Sequence, residues 1–284
     1  MTHDTDLRPP VPTASPPRTP HAPGRTPRTP TPVTPLRFTL PDQLRYADSR
    51  RLTCAAPLLL PGETETVART RPARRRAFLA GRACAREALH ALGVAEAHRT
   101  PLPRGPAGAP VWPPGVTGSI AHCGGFSTAA VARRDHFAGL GIAVAPSCAP
   151  VRREDRYAFT RRERDWLRGR AGDGEPWAAV IRSAKTSLYK ALTPEDARGL
   201  GPLDASVLPD AEDGTLRIRW EHGSLNVVLA GRFAIGRHHL AACVTRAARP
   251  EAAHAAGPTR AQALTAARAD SSPPLALLHT IGWI

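Results

Sequence analysis

Apolar positions recur at helical spacing from about Arg74 to Leu92, where Phe78, Leu79, Ala83, Ala85 and Leu89 form an approximate stripe. A Pro/Gly loop follows from Pro101 to Gly115, and then three strand-like runs: Val116–Ala121, Phe126–Ala132 and Leu140–Ala145. The pattern then repeats. Helical spacing returns over Arg161–Arg168 and Pro176–Leu192, and strand-like runs follow at Thr215–Glu221, Leu225–Ala234 and His239–Arg246. Thr160 with Glu163 has the spacing of a capping box that opens the helix at Arg161. Helix followed by three antiparallel strands, twice, predicts an α+β fold: a pseudo-dimer of two similar subdomains, 37–141 and 142–246, with a ligand cleft between them.

The ends read differently. Residues 1–36 hold 11 of the 31 prolines, interleaved with Thr and Arg, and have little to bury; a disordered tail is expected. Residues 247–284 form an Ala/Arg/Pro-rich extension ending in an apolar stretch, Leu275 to Ile284. No apolar run approaches the ~18 residues of a spanning helix, and the first thirty residues carry no apolar signal-like core. Five cysteines, an odd number without CxxC spacing, argue against a disulfide framework or a zinc ribbon. A cytoplasmic, monomeric protein without membrane contact is the expectation.

Charge sharpens the picture. The chain has 39 Lys+Arg against 24 Asp+Glu, net +15. Residues 37–246 hold 32 of the basic and 20 of the acidic residues, so +12 sits in the folded part. A basic folded domain implies an anionic partner: nucleic acid, a phosphorylated cofactor or an acidic protein. With 5% aromatic residues and no stacking motif, nucleic acid is the weakest of these. Only two of the 39 basic residues are lysine, Lys185 and Lys190. Lysine is a compact ammonium that can lose its proton and arginine a fork that cannot, so this pair marks its helix as a place for lysine chemistry.

Three segments carry candidate chemistry. Arg74-Arg75-Arg76 to Arg82 is either a solvated face or a phosphate cradle, since guanidinium forks match phosphate oxygens. Gly118-Ser119-Ile120-Ala121-His122-Cys123-Gly124-Gly125 runs a strand into a glycine turn and leaves His122 where it could face a cleft. Cys123 beside it points to the opposite face, so the two make no dyad on a regular strand. On the third segment Ile181, Lys185, Ser187 and Lys190 fall within reach of one helix side.

In this order, RRRAFLAGRACAREAL, PAGAPVWP, GSIAHCGG, GLGIAVA, FTRRE and SAKTSLYKAL resemble the 4′-phosphopantetheinyl transferases of the surfactin/enterobactin type, over roughly Phe38 to Arg246. The resemblance implies the two-subdomain pseudo-dimer and transfer of the phosphopantetheine arm of coenzyme A to a serine of a carrier protein with Mg²⁺. It implies Arg75, Arg82, Ser119, His122, Lys185 and Lys190 as cofactor-binding residues, and Glu163 as the acidic residue after the family's Phe-Thr pair. Where the family reads Gly-Ile-Asp-x-Glu, this chain has Gly141-Ile142-Ala143-Val144-Ala145, and the glutamate of its Lys-Glu pair is Thr186. Alanines offer no hard oxygen to Mg²⁺.

The expected metal is therefore none, unless Glu154, Asp155 or Glu163 substitutes or diphosphate and water hold the ion. Three functions follow from the resemblance. The first is a repurposed natural-product enzyme doing metal-free dehydration or cyclisation on a carrier- or coenzyme A-tethered intermediate, with His122, Glu163 and Lys185 as acid/base groups. The second is a genuine transferase acting from coenzyme A on an apo acyl or peptidyl carrier protein. The third is a non-catalytic pseudoenzyme that binds carrier protein or coenzyme A. Lys185, next to neutral Thr186, is expected to lack a carboxylate partner and to have a lowered pKa.

Overall fold

The structure is a computed structural model that describes residues 38–248 except 53–58, 69, 106–107, 150–154, 222–224 and 226. The proline-rich tail 1–36, Glu154, Cys54 and nearly all of the extension from 247 lie outside the described residues.

The first half contains β1 (Leu44–Asp48), α1 (Thr64–Val67), α2 (Pro72–Ala91), β2 (Val116–Cys123), β3 (Phe126–Arg133) and β4 (Phe137–Pro146). The second contains α3 (Asp155–Ala158), α4 (Arg161–Arg168), α5 (Trp177–Ala191), α6 (Pro194–Ala197), β5 (Ala205–Asp210), β6 (Thr215–Trp220), β7 (Leu229–Ile235) and β8 (His239–Ala247). The α+β class is as expected: two antiparallel sheets, each packed with a long helix. The strand count is not symmetric. One sheet has three strands in the order β1-β3-β2, and the other has five in the order β4-β8-β7-β6-β5. The three-plus-three expectation missed β1 and β5, and it placed β4 in the wrong sheet. β4 pairs with β8 along its length, from Phe137↔Ala247 to Pro146↔His239. The expected boundary at 141/142 thus cuts through the middle of a strand.

Strand alternation explains the layering. On β3, Ala129 and Val131 join Cys84, Ala85 and Leu89 of α2 in one buried cluster, while Ala130 turns the other way. Ala130 meets Leu140 and Ile142 of β4 and Cys243 of β8 in a second cluster between the sheets. The odd positions of β4 then face α5. A Cβ on Gly139 would lie 1.9 Å from the Ala191 carbonyl oxygen, and one on Gly141 1.9 Å from that of Ser187. Glycine is required here for contact rather than for φ: the helix backbone rests directly on the strand. Beyond it, Val180, Ala184 and Leu188 of α5 pack with Val207, Leu240, Ala242 and Val244 of the five-stranded sheet.

The capping box is present. Thr160 Oγ1 accepts from Glu163 N–H at 3.3 Å, and Thr160 N–H donates to Glu163 Oε2 at 2.7 Å. Thr160 Oγ1 also lies 2.6 Å from Ser206 Oγ of β5, which ties the helix start to the sheet. Thr160→Ala is expected to cost about 1 kcal/mol, read as a shift of the urea midpoint at unchanged slope.

Candidate functional site

The two lysines of α5 part company. They are five residues apart, so their side chains leave the helix on different faces. Lys185 is fully buried, and its Nζ meets Glu163 Oε2 at 2.9 Å. The same ammonium donates to the Ala205 carbonyl at 2.7 Å and to that of Pro202. An ammonium has three protons, and here all three are spent. Glu163 is equally buried; it also accepts from Val207 N–H at 2.8 Å, beyond its share of the capping box. Burial pushes the Glu163 carboxyl up and the Lys185 ammonium down, each against the pull of the other charge.

The expectation that Lys185 lacks a carboxylate partner is therefore corrected. Glu163 supplies one from another helix, and together they hold α4, α5 and β5. Glu163 and Lys185 are committed to each other, and the charges that act on His122 are those of Lys190 and Arg74 instead.

Lys190 does something different. Its Nζ donates to the Ile120 carbonyl of β2 at 3.2 Å and to the Ile142 carbonyl of β4 at 3.1 Å. It thereby bridges the two sheets where β2 and β4 lie against each other. Its third N–H has no acceptor among the described residues, and no acidic side chain pairs with it there. Desolvation alone pushes its pKa down to about 8.

Two residues along β2 from Ile120, His122 is exposed at the strand end. Its pKa is lowered first by the burial of part of its ring, then by Lys190 and by Arg74. His122, Lys190 and Arg74 thus share one electrostatic environment, a cationic corner at the meeting of β2, β4, α2 and α5.

The arginine helix divides. Arg74 and Arg75 are exposed on the first turn of α2. Arg82 is buried: its Nε donates to the Leu102 carbonyl at 2.6 Å, and its guanidinium lies 4.4 Å from the Phe78 ring centre. Burial pushes its pKa down to about 10. Arg82 therefore anchors the loop after α2 and is not placed at the cationic corner. Ser119 is buried within β2, opposite Ala130. Arg74 lay within the candidate cradle, but the resemblance singled out Arg75, whereas it is the charge of Arg74 that acts on His122. Three consecutive arginines on one turn contain no signal to choose among them.

The family's Mg²⁺ has to be tested against the side chains present. Alternation on β4 turns Ala143 and Ala145 toward α5, like Gly141. Ala145 packs against the apolar cluster that includes Ala179 and Leu240. Thr186 Oγ1 donates to the Arg182 carbonyl at 3.0 Å. Asp155, a suggested substitute, is buried in an ion pair with Arg182, and Glu163 is committed to Lys185. Among the described residues no group of three His, Cys, Asp or Glu side chains is arranged to hold a metal. These residues do not fit Mg²⁺ at this corner. Nor, among the described residues, is any helix long and apolar enough to cross a membrane.

Comparison with known proteins bears on the whole arrangement. Residues 62–132 match the family description "4′-phosphopantetheinyl transferase N-terminal domain". The chain is 39% identical over 164 residues to the 4′-phosphopantetheinyl transferase Svp of Streptomyces mobaraensis, covering 57% of this chain and 65% of that protein. It is 36% identical over 156 residues to Npt of Nocardia iowensis, 55% of this chain and 68% of the other. It is also 36% identical over 149 residues to PptT of Mycobacterium tuberculosis, 52% and 64% respectively. The chain spans about two thirds of the length of these relatives. Together with a fold of two helix-backed antiparallel sheets, this identity shows that the chain belongs to the 4′-phosphopantetheinyl transferase family.

Proposed function

We propose that this chain transfers the 4′-phosphopantetheine arm of coenzyme A to a serine of an acyl or peptidyl carrier protein, in the assembly of a natural product. The observation that supports this most directly is the corner at Lys190. It offers a half-buried ammonium with one N–H to spare, beside His122 and Arg74 and away from any acid among the described residues. Such a corner suits an anion, and in a partly desolvated site each charge-assisted bond gains strength. In the transfer, the seryl oxygen bonds to the phosphorus that carries the pantetheine arm. The bond from that phosphorus to the oxygen of the adenosine bisphosphate breaks, the departing nucleotide keeps the electron pair, and the seryl proton passes to a base in solution. Positioning and neutralisation of the diphosphate are the protein's main tasks in such a step.

The test is incubation of the chain with coenzyme A and an apo carrier protein, read by intact mass. A carrier that gains one phosphopantetheine supports the proposal; an unchanged carrier overturns it. A second reading, a non-catalytic binder of coenzyme A or carrier protein, is favoured by Ala143 and Ala145, which offer no ligands. It is distinguished by tight coenzyme A binding without transfer. The acid/base reading loses support, because Glu163 and Lys185 are sealed in a structural pair.

Binding variants sort the residues. His122→Ala and Lys190→Met are each expected to weaken coenzyme A binding roughly 10- to 100-fold, the equivalent of ~1.5–3 kcal/mol for a charge-assisted bond. Arg82→Ala should lower stability and leave affinity nearly unchanged. Burial pushes the Lys190 ammonium down to about 8. Below that pH it is charged and attracts the diphosphate; above it the charge is lost. Affinity should therefore fall as pH rises through 8, and this fall should be absent from Lys190→Met. Isothermal calorimetry at constant ionic strength checks all of these.

A further inference from the structure

We infer that the chain holds the diphosphate of its ligand with protein cations alone, and that no divalent cation enters the corner with or without that ligand. This rests on the proposed binding of coenzyme A and deepens it by assigning the counter-charge.

Three observations converge. The first is the donor set. Along the α5-facing side of β4, Gly139, Gly141, Ala143 and Ala145 follow one another, and the glycines touch the helix backbone. The strip has no side-chain oxygen, and Mg²⁺ demands hard oxygen ligands. The second is the fate of the acids that could have substituted as ligands. Asp155 and Glu163 are both buried against cations of α5, Arg182 and Lys185. Recruiting either to a metal would strand a buried charge. The third is Lys190. Its Nζ sits between the Ile120 and Ile142 carbonyls, next to the Ala143 position, with a proton still to give. A resident ammonium 3.1–3.2 Å from two backbone oxygens repels a divalent ion and takes over its electrostatic task. Arg74 adds to the same field, and no acid of β2, β4, α2 or α5 pairs with Lys190 among the described residues. A cation covalently part of the chain stands where a dissociable one would otherwise be needed.

The experiment uses the intact chain and coenzyme A as the probe. Calorimetric titrations are run in EDTA and in millimolar Mg²⁺ at matched ionic strength. Mn²⁺ titrations of the protein, with and without coenzyme A, are read by electron paramagnetic resonance. The expected result is a coenzyme A affinity equal within about twofold in the two buffers and no Mn²⁺ site in the micromolar range. In Lys190→Met the affinity should drop at least tenfold in EDTA. A tenfold gain of affinity with Mg²⁺, or a micromolar Mn²⁺ site, would overturn this inference and leave coenzyme A binding standing. Full affinity in Lys190→Met would remove the ammonium as the stand-in and overturn it likewise. No coenzyme A binding in either buffer would overturn the proposed function first, and the inference with it.

Discussion

Replacing Glu163 by Ala is expected to cost roughly 3–5 kcal/mol and to lower the melting temperature by on the order of 10 °C. Among the described residues the carboxylate is the one acid in ion-pair contact with a fully buried ammonium, and it also accepts two backbone N–H groups. Its loss leaves the Lys185 charge in an apolar interior and frees the donors of Thr160 and Val207. The pairing makes a sharper prediction than the single variant. Glu163→Gln combined with Lys185→Met removes both charges and keeps one oxygen, enough for the N–H of either Val207 or Thr160. The double variant should recover more than half of the lost stability, because a buried ion pair is often worth little against an apolar replacement. Circular dichroism melts of wild type, both single variants and the double variant complete the cycle. Wild-type stability in Glu163→Ala would show that Lys185 is not locked, and would return it to the pool of groups available for chemistry.

Gly141→Ala should be nearly as damaging through an unrelated cause. A methyl placed there would lie 1.9 Å from the Ser187 carbonyl oxygen and 3.0 Å from the Ala191 nitrogen. Neither is a flexible side chain that can swing away; both belong to the backbone of α5. The helix has to lift from the strand, and that separates Val180, Ala184 and Leu188 from the sheet and draws Lys190 from its two carbonyls. A cost of about 3 kcal/mol is expected, at the upper end for an overpacked core. A fall in the denaturant midpoint measures it, and coenzyme A affinity should fall in parallel because the corner is held by the same contact. A midpoint within experimental error of wild type would show that α5 sits farther from β4 than the described contact.

The sequence foretold most where local pattern and final environment agree. α2, α4 and α5 carry apolar positions at helical spacing, and α4 announces its start through Thr160 and Glu163. β1 and β5 were illegible. Leu44–Asp48 and Ala205–Asp210 are short, mixed in polarity and, in β5, interrupted by Pro209. They become strands because β3 and β6 offer edges to pair with. Pro209 is tolerated because β5 lies at the edge of its sheet. The placement of β4 failed for a similar reason: periodicity says that a segment is extended and nothing about which edge it joins. At the site, the scarcity of lysine pointed to Lys185 and Lys190 without separating their roles. The separation comes from 140° of helix rotation and from Glu163, 22 residues away in the chain with no local trace of the pairing. His122 was placed at a strand end and is found there; its neighbourhood to Lys190 is a product of the sheets' packing alone.

The pairing of β4 with β8 has a consequence for the order in which the chain can be built. During synthesis β4 emerges roughly ninety residues before its partner. At about 5–20 residues per second, Leu140, Ile142 and Val144 wait on the order of 5–20 s with no strand paired to either edge of β4 among the described residues. The wait also spans the emergence of α5, whose resting place on Gly139 and Gly141 exists before the five-stranded sheet does. A nascent chain therefore presents a β-strand with an open edge beside a helix that has no sheet beneath it, the kind of surface on which trigger factors and self-association act. The three-stranded sheet with α2 has no such dependence, since β1, β2 and β3 close on one another as soon as Arg133 is made. Chains halted before His239 should thus carry a folded front and a sticky, unfinished rear, and the yield of active protein should be set by how quickly the last strand arrives.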